Sequence, residues 1–239
     1  MTDNQQTVLV GDRDGEPPIT KVVTVQLTAD PDADISPDNG AHLPYDAVLL
    51  KADRLVLRPL IEAELLDADA ARDNNQEEIE RYLLWEVRDR DQTAKSLAKH
   101  RAMKRLKKDK DGLVYAVEFP DPAGGPGRSV GKISLQVKSA VDGQFEVGWV
   151  FHPAAHGRGF ATEAARAVLG LCFDTLGAHR VRAELDPRNE ASARLCGILG
   201  MRKEAHFVDD QFFQGEWTDT VIYAILADEW RQRQFPPAE

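Results

Sequence analysis

Long apolar runs are missing from this chain of 239 residues. None approaches the ~18 consecutive apolar residues needed to span a bilayer, so no membrane partner is expected. Cysteine is scarce. Cys172 and Cys196 each fall among apolar neighbours on an expected helix. That excludes a disulfide-stapled fold and predicts two buried, reduced thiols. The first residues, Met-Thr-Asp-Asn-Gln-Gln, carry neither a basic n-region nor an apolar h-region. No secretory signal is therefore expected, and the cytoplasm is the expected compartment. Positive charge is also short, with 30 Lys+Arg against 40 Asp+Glu and a net charge of −10. A nucleic-acid partner needs a basic surface, so that class is excluded. A small anionic cofactor needs only a local site, and an acidic exterior suits a cationic amine substrate. The P-loop string Gly-x-x-x-x-Gly-Lys-Ser/Thr and the HExxH metal motif are both absent. His152 and His156 are four residues apart, but Pro153 puts them in a turn with no fixed acidic third ligand, so no metal is expected.

What remains is an ordinary globular composition, 42% hydrophobic and 29% charged. The charge is uneven. Residues 1–50 hold nine acidic and two basic residues, a net −7 of the total −10. Pro17-Pro18 and the stretch 30–40 are rich in breakers, with one expected strand between them, Lys21 to Thr28. Residues 1–49 therefore read as an acidic appendage, partly extended or disordered. Residues 50–239 read as the compact domain. In it, 54–58 alternates as a strand, and 60–107 is expected to be mostly helical, with Ala94, Leu97, Ala98, Ala102 and Leu106 on one stripe. Strands are expected at 113–119, 130–137, 145–151, 180–185, 202–207 and 218–226. Asn189 is placed to cap a helix that Gly200 closes. The class is α+β.

The chemistry is concentrated at 145–165. Phe145, Val147, Trp149 and Phe151 alternate with Glu146, Gly148 and Val150, the period of a strand. From Ala161 the period becomes helical, through Ala164, Ala165, Val168, Cys172 and Leu176. Between them lies His156-Gly157-Arg158-Gly159-Phe160-Ala161. A helix start exposes unpaired N–H groups and the positive end of the helix dipole, and glycines let an anion approach them. A phosphate or pyrophosphate is the natural ligand. The dinucleotide fingerprint Gly-x-Gly-x-x-Gly/Ala fails at Thr162, and no second βαβ half follows.

The core His156-Gly-Arg-Gly-Phe-Ala161 resembles the Arg/Gln-x-x-Gly-x-Gly/Ala motif of the GNAT N-acetyltransferase superfamily, with His156 in the first position of this stretch. The wider match covers Glu146-Val-Gly-Trp-Val-Phe-His-Pro, Gly-Arg-Gly-Phe-Ala-Thr-Glu-Ala, Asp186-Pro-Arg-Asn-Glu-Ala-Ser and Leu199-Gly-Met. In order and spacing it is similar to the branch of ribosomal-protein alanine N-acetyltransferases, the RimJ/RimL type. The stretches 54–60 and 215–224 resemble that branch's first and last strands, so the likeness spans roughly 50–230.

The resemblance implies a GNAT fold: a mixed, mostly antiparallel central sheet with a splayed parallel strand pair, flanked by helices. It implies acetyl-CoA as co-substrate and a primary amine as acceptor, either a protein N-terminus or a small molecule. The amine attacks directly in a ternary complex. A catalytically silent CoA-binding or interaction module is the alternative, and a homodimer through the appendage or the sheet edge is compatible with either. The expected cofactor residues are Trp149, Val150, Phe151, His156, Gly157, Arg158, Gly159, Phe160, Ala161, Thr162, Asn189 and Ser192. Glu146 is the first candidate base, with Asp209 or Asp210 acting through water as another. Ser192 is the candidate acid for the leaving thiol. Trp217 and Tyr223 are expected to support the acceptor pocket.

Overall fold

The computed structural model describes residues 40–60, 105–121, 127–213 and 215–233, and the backbone pairing of 5–9 and 22–26. The expected helical stretch falls largely on 61–104, outside the described residues, as does most of the loop at 122–126. The twelve described strands are β1 (Gln5–Leu9), β2 (Val22–Gln26), β3 (Tyr45–Asp46), β4 (Leu50–Lys51), β5 (Val56–Pro59), β6 (Arg105–Leu106), β7 (Gly112–Phe119), β8 (Arg128–Ser139), β9 (Gln144–Phe151), β10 (Arg180–Leu185), β11 (Arg202–Phe213) and β12 (Glu216–Leu226). The described helices are α1 (Phe160–Gly170), continued by a π turn over Leu171–Thr175, then α2 (Glu190–Leu199) and α3 (Ala227–Arg231).

Eight strands make the central sheet in the order β11-β12-β10-β9-β8-β7-β5-β4. Every neighbouring pair is antiparallel except β9 and β10, which run parallel. A parallel pair needs a crossover, and α1 supplies it. The alternation read in the sequence sets the faces: Phe145, Val147 and Phe151 are buried, as are Leu113, Tyr115, Ile133 and Leu135 on the neighbouring strands. Phe160, Ala164, Ala165 and Val168 bring the buried stripe of α1 onto this core. Cys172 and Cys196 are free and buried.

One expectation changes. Leu106 is not the end of a helical stripe. It is fully buried in β6, paired with Tyr45, while Arg105 meets Asp46 at 3.3 Å. A tertiary strand partner overrides the local helical pattern there. The strand expected at 21–28 is β2, which pairs antiparallel with β1 in a two-stranded sheet of its own. Residues 41–48, in the acidic N-terminal part, lie against the core. Ala41 N–H donates to Ala140 O at 2.7 Å, and His42 N–H to Leu176 O at 2.8 Å. The terminal helix α3 carried no sequence signal strong enough to mark it.

Candidate active site

The parallel pair β9/β10 is short. Its register runs Arg180↔Gln144, Val181↔Phe145 and Arg182↔Glu146, and then the pairing stops. Beyond it, β9 stays bonded to β8, and β10 to β12. The two strands therefore diverge into a cleft walled by backbone. Alternate residues of a strand direct their N–H and C=O groups to opposite neighbours. His152 N–H donates to Val130 O, in phase with Lys132↔Val150 and Ser134↔Gly148. Val150 thus commits its backbone to β8, while Trp149 and Phe151 present theirs to the cleft. On the other wall, Ala227 N–H donates to His179 O, which leaves the backbone of Glu184 turned to the cleft.

The cleft opens at the start of α1. Gly157 and Gly159 both take left-handed φ values, +70° and +74°. Gly159 is the N-cap, and no side chain caps this helix. The first N–H groups of an uncapped helix have no intrahelical acceptor. A Cβ at Gly157 would meet nothing within 4 Å, so the loop is open on that side. His156 folds back, its Nε2 donating to Phe151 O at 3.1 Å. The Phe160 side chain is buried against Phe119, at 5.4 Å between ring centroids, so the N–H of residue 160 is its remaining contribution. The Arg158 guanidinium lies 4.7 Å over the Phe160 ring. Ala161 and Thr162, both half-buried, fall in the same first turn.

Across the cleft, Asn189 caps α2, its Oδ1 accepting from Ser192 N–H at 3.0 Å. The Ser192 hydroxyl oxygen accepts from Trp149 Nε1 at 3.2 Å, joining α2 to β9. Glu146 lies on the face of β9 opposite Trp149. Its Oε2 is 3.1 Å from Lys138 Nζ and 3.0 Å from Arg182 Nη2. Arg182 Nη2 also reaches Glu184 Oε1 at 2.6 Å. Burial, and then the charge of Glu146, push the Glu184 carboxyl upward, against the pull of Arg182 and Lys138. Glu184 was missed in the sequence. The Arg180-x-Arg182-x-Glu184 alternation on the strand beside Glu146 was the available signal.

Other candidates lie apart. Asp210 is exposed in the irregular part of β11, and both β12 and β10 separate that strand from β9. Asp209 has a φ of +49°, and its N–H donates to Asp219 Oδ1 at 3.0 Å. Trp217 is exposed, packs edge-on to Phe212 at 5.4 Å, and with Asp186, Pro187, Arg188, Thr218 and Asp219 lines a cleft of about 210 Å³. Tyr223 is half-buried, paired with Ala183. His152 Nδ1 accepts from Ala154 N–H at 3.2 Å, closing its own turn. Among the described residues no group of three or more His, Cys, Asp or Glu side chains could hold a metal ion, and no helix is long and apolar enough to cross a membrane. Burial pushes the Cys196 thiol up to about 12, and Cys172 also upward. Neither thiol is poised as a nucleophile.

The comparisons agree with this geometry. The family described as an acetyltransferase (GNAT) domain matches residues 54–202. YnaD of Bacillus subtilis, an uncharacterized N-acetyltransferase, is 41% identical over 86 residues, covering 36% of this chain and 51% of that protein. The chain thus spans about half the length of that relative. The [ribosomal protein uS5]-alanine N-acetyltransferase of Escherichia coli is 32% identical over 74 residues, 31% of this chain and 38% of that protein. Among solved structures, a GCN5-related N-acetyltransferase from Brucella melitensis superposes with a TM-score of 0.64 at 26% identity, covering 80% of this chain and 84% of that one. The profile match takes in the diverging strands, the glycine loop and the capped α2 together, and the chain belongs to the GNAT acetyltransferase family.

Proposed function

We propose that the protein transfers the acetyl group of acetyl-CoA to a primary amine within a ternary complex. The observation that carries this reading is the uncapped α1 start with two left-handed glycines, set at the mouth of a parallel pair whose bonding ends at Arg182↔Glu146. The pyrophosphate would rest on the N–H groups of residues 157–162. The pantetheine amides would pair with the backbone of Trp149 and Phe151, as an added strand does. That places the thioester near the point where the strands part.

The chemistry follows from that placement. A neutral amine attacks the thioester carbonyl, the C–N bond forms, the oxyanion collapses and the C–S bond breaks. The amine proton must leave and the thiolate must be protonated. Glu146 takes the first role, with Glu184 beside it as a second carboxylate on the same face. Ser192 donates the proton to sulfur from the opposite face of the sheet. Transition-state charge is best met by fixed dipoles, here the backbone of the diverging strands. The acceptor is a peptide N-terminus or a small-molecule amine. The relative named for alanine acetylation of a ribosomal protein supports the first of these. Residues 50–239 form the transferase domain and 1–49 an acidic appendage whose last part, 41–48, is laid against that domain.

One observation favours a silent CoA-binding module: both Lys138 and Arg182 already hold Glu146. Free-thiol release from acetyl-CoA with a panel of peptide and small amines separates the two readings. The enzyme reading expects release, with Glu146→Gln lowering it about 10²–10⁴-fold while CoA affinity stays unchanged. CoA binding without release on any amine would favour the module. Unchanged release in Glu146→Gln would move the base elsewhere.

A further inference from the structure

We infer that Arg54 is a positioning residue for the donor pyrophosphate: a single arginine at the entrance to β5 straps the glycine loop in the shape that exposes its N–H groups. This rests on the proposed acetyl-CoA reading of the loop. Arg54 makes its contacts more than a hundred residues away along the chain. Its backbone N–H donates to Glu163 Oε1 at 2.6 Å and its Nε to Glu163 Oε2 at 2.8 Å. Its Nη2 donates to Arg158 O at 3.1 Å, inside the loop itself. The guanidinium lies 5.1 Å over the Phe160 ring. A Cβ on Gly159 would come within 3.3 Å of Nη2, so the arginine and the left-handed glycine fit against each other.

The electrostatics give the strap a purpose. Glu163 is buried, 7% exposed, in the first turn of α1. A carboxylate there suits the helix dipole, but it competes with an incoming phosphate for the same positive end. Arg54 takes up both carboxylate oxygens and so removes that competition. Its side chain remains 38% exposed, leaving a cation at the rim. An arginine is needed because only a planar fork can hold a carboxylate and a carbonyl at once. Glu163 therefore serves as the anchor for Arg54.

The test is a calorimetric titration of the whole protein with CoA and, separately, with pantetheine, which lacks the pyrophosphate and nucleotide. Arg54→Ala should weaken CoA binding about tenfold and leave pantetheine binding unchanged. Arg54→Lys keeps a charge without the fork and should fall between. It carries the test if Arg54→Ala does not fold. CoA affinity equal to the parent in the folded variants would overturn the strap. So would a loss of the same proportion for both ligands, which a merely structural residue would produce. A parent that binds neither ligand would overturn the acetyl-CoA reading, and the strap with it.

Discussion

The chain starts two helices beside the same cleft and treats them in opposite ways. α2 satisfies its own first turn: Asn189 Oδ1 accepts from Ser192 N–H, and Gly200, at φ +82°, closes the far end. α1 begins at Gly159 with no side-chain cap at all. Its neighbouring polar groups are instead spent on the shape of the loop, through Arg54, Glu163 and the Arg158 carbonyl. A helix that caps itself has one first-turn donor fewer to offer a ligand. One that is held open has donors left for a ligand. The α3 start has no side-chain cap from its N-cap residue either, and Glu229 Oε2 there accepts from Leu226 N–H at 2.8 Å.

The sharpest way to break this contrast is to close the open end. Gly159→Val puts a β-branched residue at φ +74° and drives its Cβ toward Arg54. CoA at 100 times its dissociation constant should stabilise the parent by about 2.7 kcal/mol. The variant should show no thermal shift. A preserved shift would mean that the pyrophosphate binds elsewhere. The reciprocal change is milder. Asn189→Ala should cost about 1 kcal/mol of stability in denaturant melts, and reduce the CoA shift only in part, because that side chain holds the helix as well as the edge of the cleft. A loss of CoA binding in Asn189→Ala equal to that in Gly159→Val would erase the distinction.

The smallest effect is in acid. Glu229 is held below the ordinary carboxylate range, first by the Leu226 N–H and then by Arg202. Glu204 is held low by Arg180, and Asp219 by the Asp209 N–H and His206. A carboxyl whose folded pKa is depressed adds stability above its unfolded pKa and loses it as the pH falls through the folded one. Melting temperature should therefore decline below the ordinary carboxylate range. Glu229→Gln should flatten that decline slightly while CoA binding is untouched.

Much of this was legible in the residues. Strand alternation placed 145–151 and 180–185, and Asn189 and Gly200 marked the ends of α2, because period and cap chemistry are local properties. The glycine turn was equally readable, because Gly157 and Gly159 fall between a strand period and a helical one. Leu106 was misread because its partner, Tyr45, lies some sixty positions away, and a tertiary strand pair leaves no local trace. The Arg54–Glu163 pair was invisible for the same reason, its contacts lying more than a hundred residues apart, and the alternation that carries Glu184 gains its meaning only from the register with the neighbouring strand. The exposed place of Asp210 on β11 was not legible either, because the irregular pairing of that strand leaves no clean period.

The most direct measurement is a ¹⁵N-resolved amide titration of the assigned protein with CoA. The account predicts that the N–H resonances of residues 157–162, together with Trp149 and Phe151, shift on binding. Those at the capped start of α2, Glu190 and Ala191, should move little. Shifts concentrated on α2 or β11, with the 157–162 amides unmoved, would contradict it.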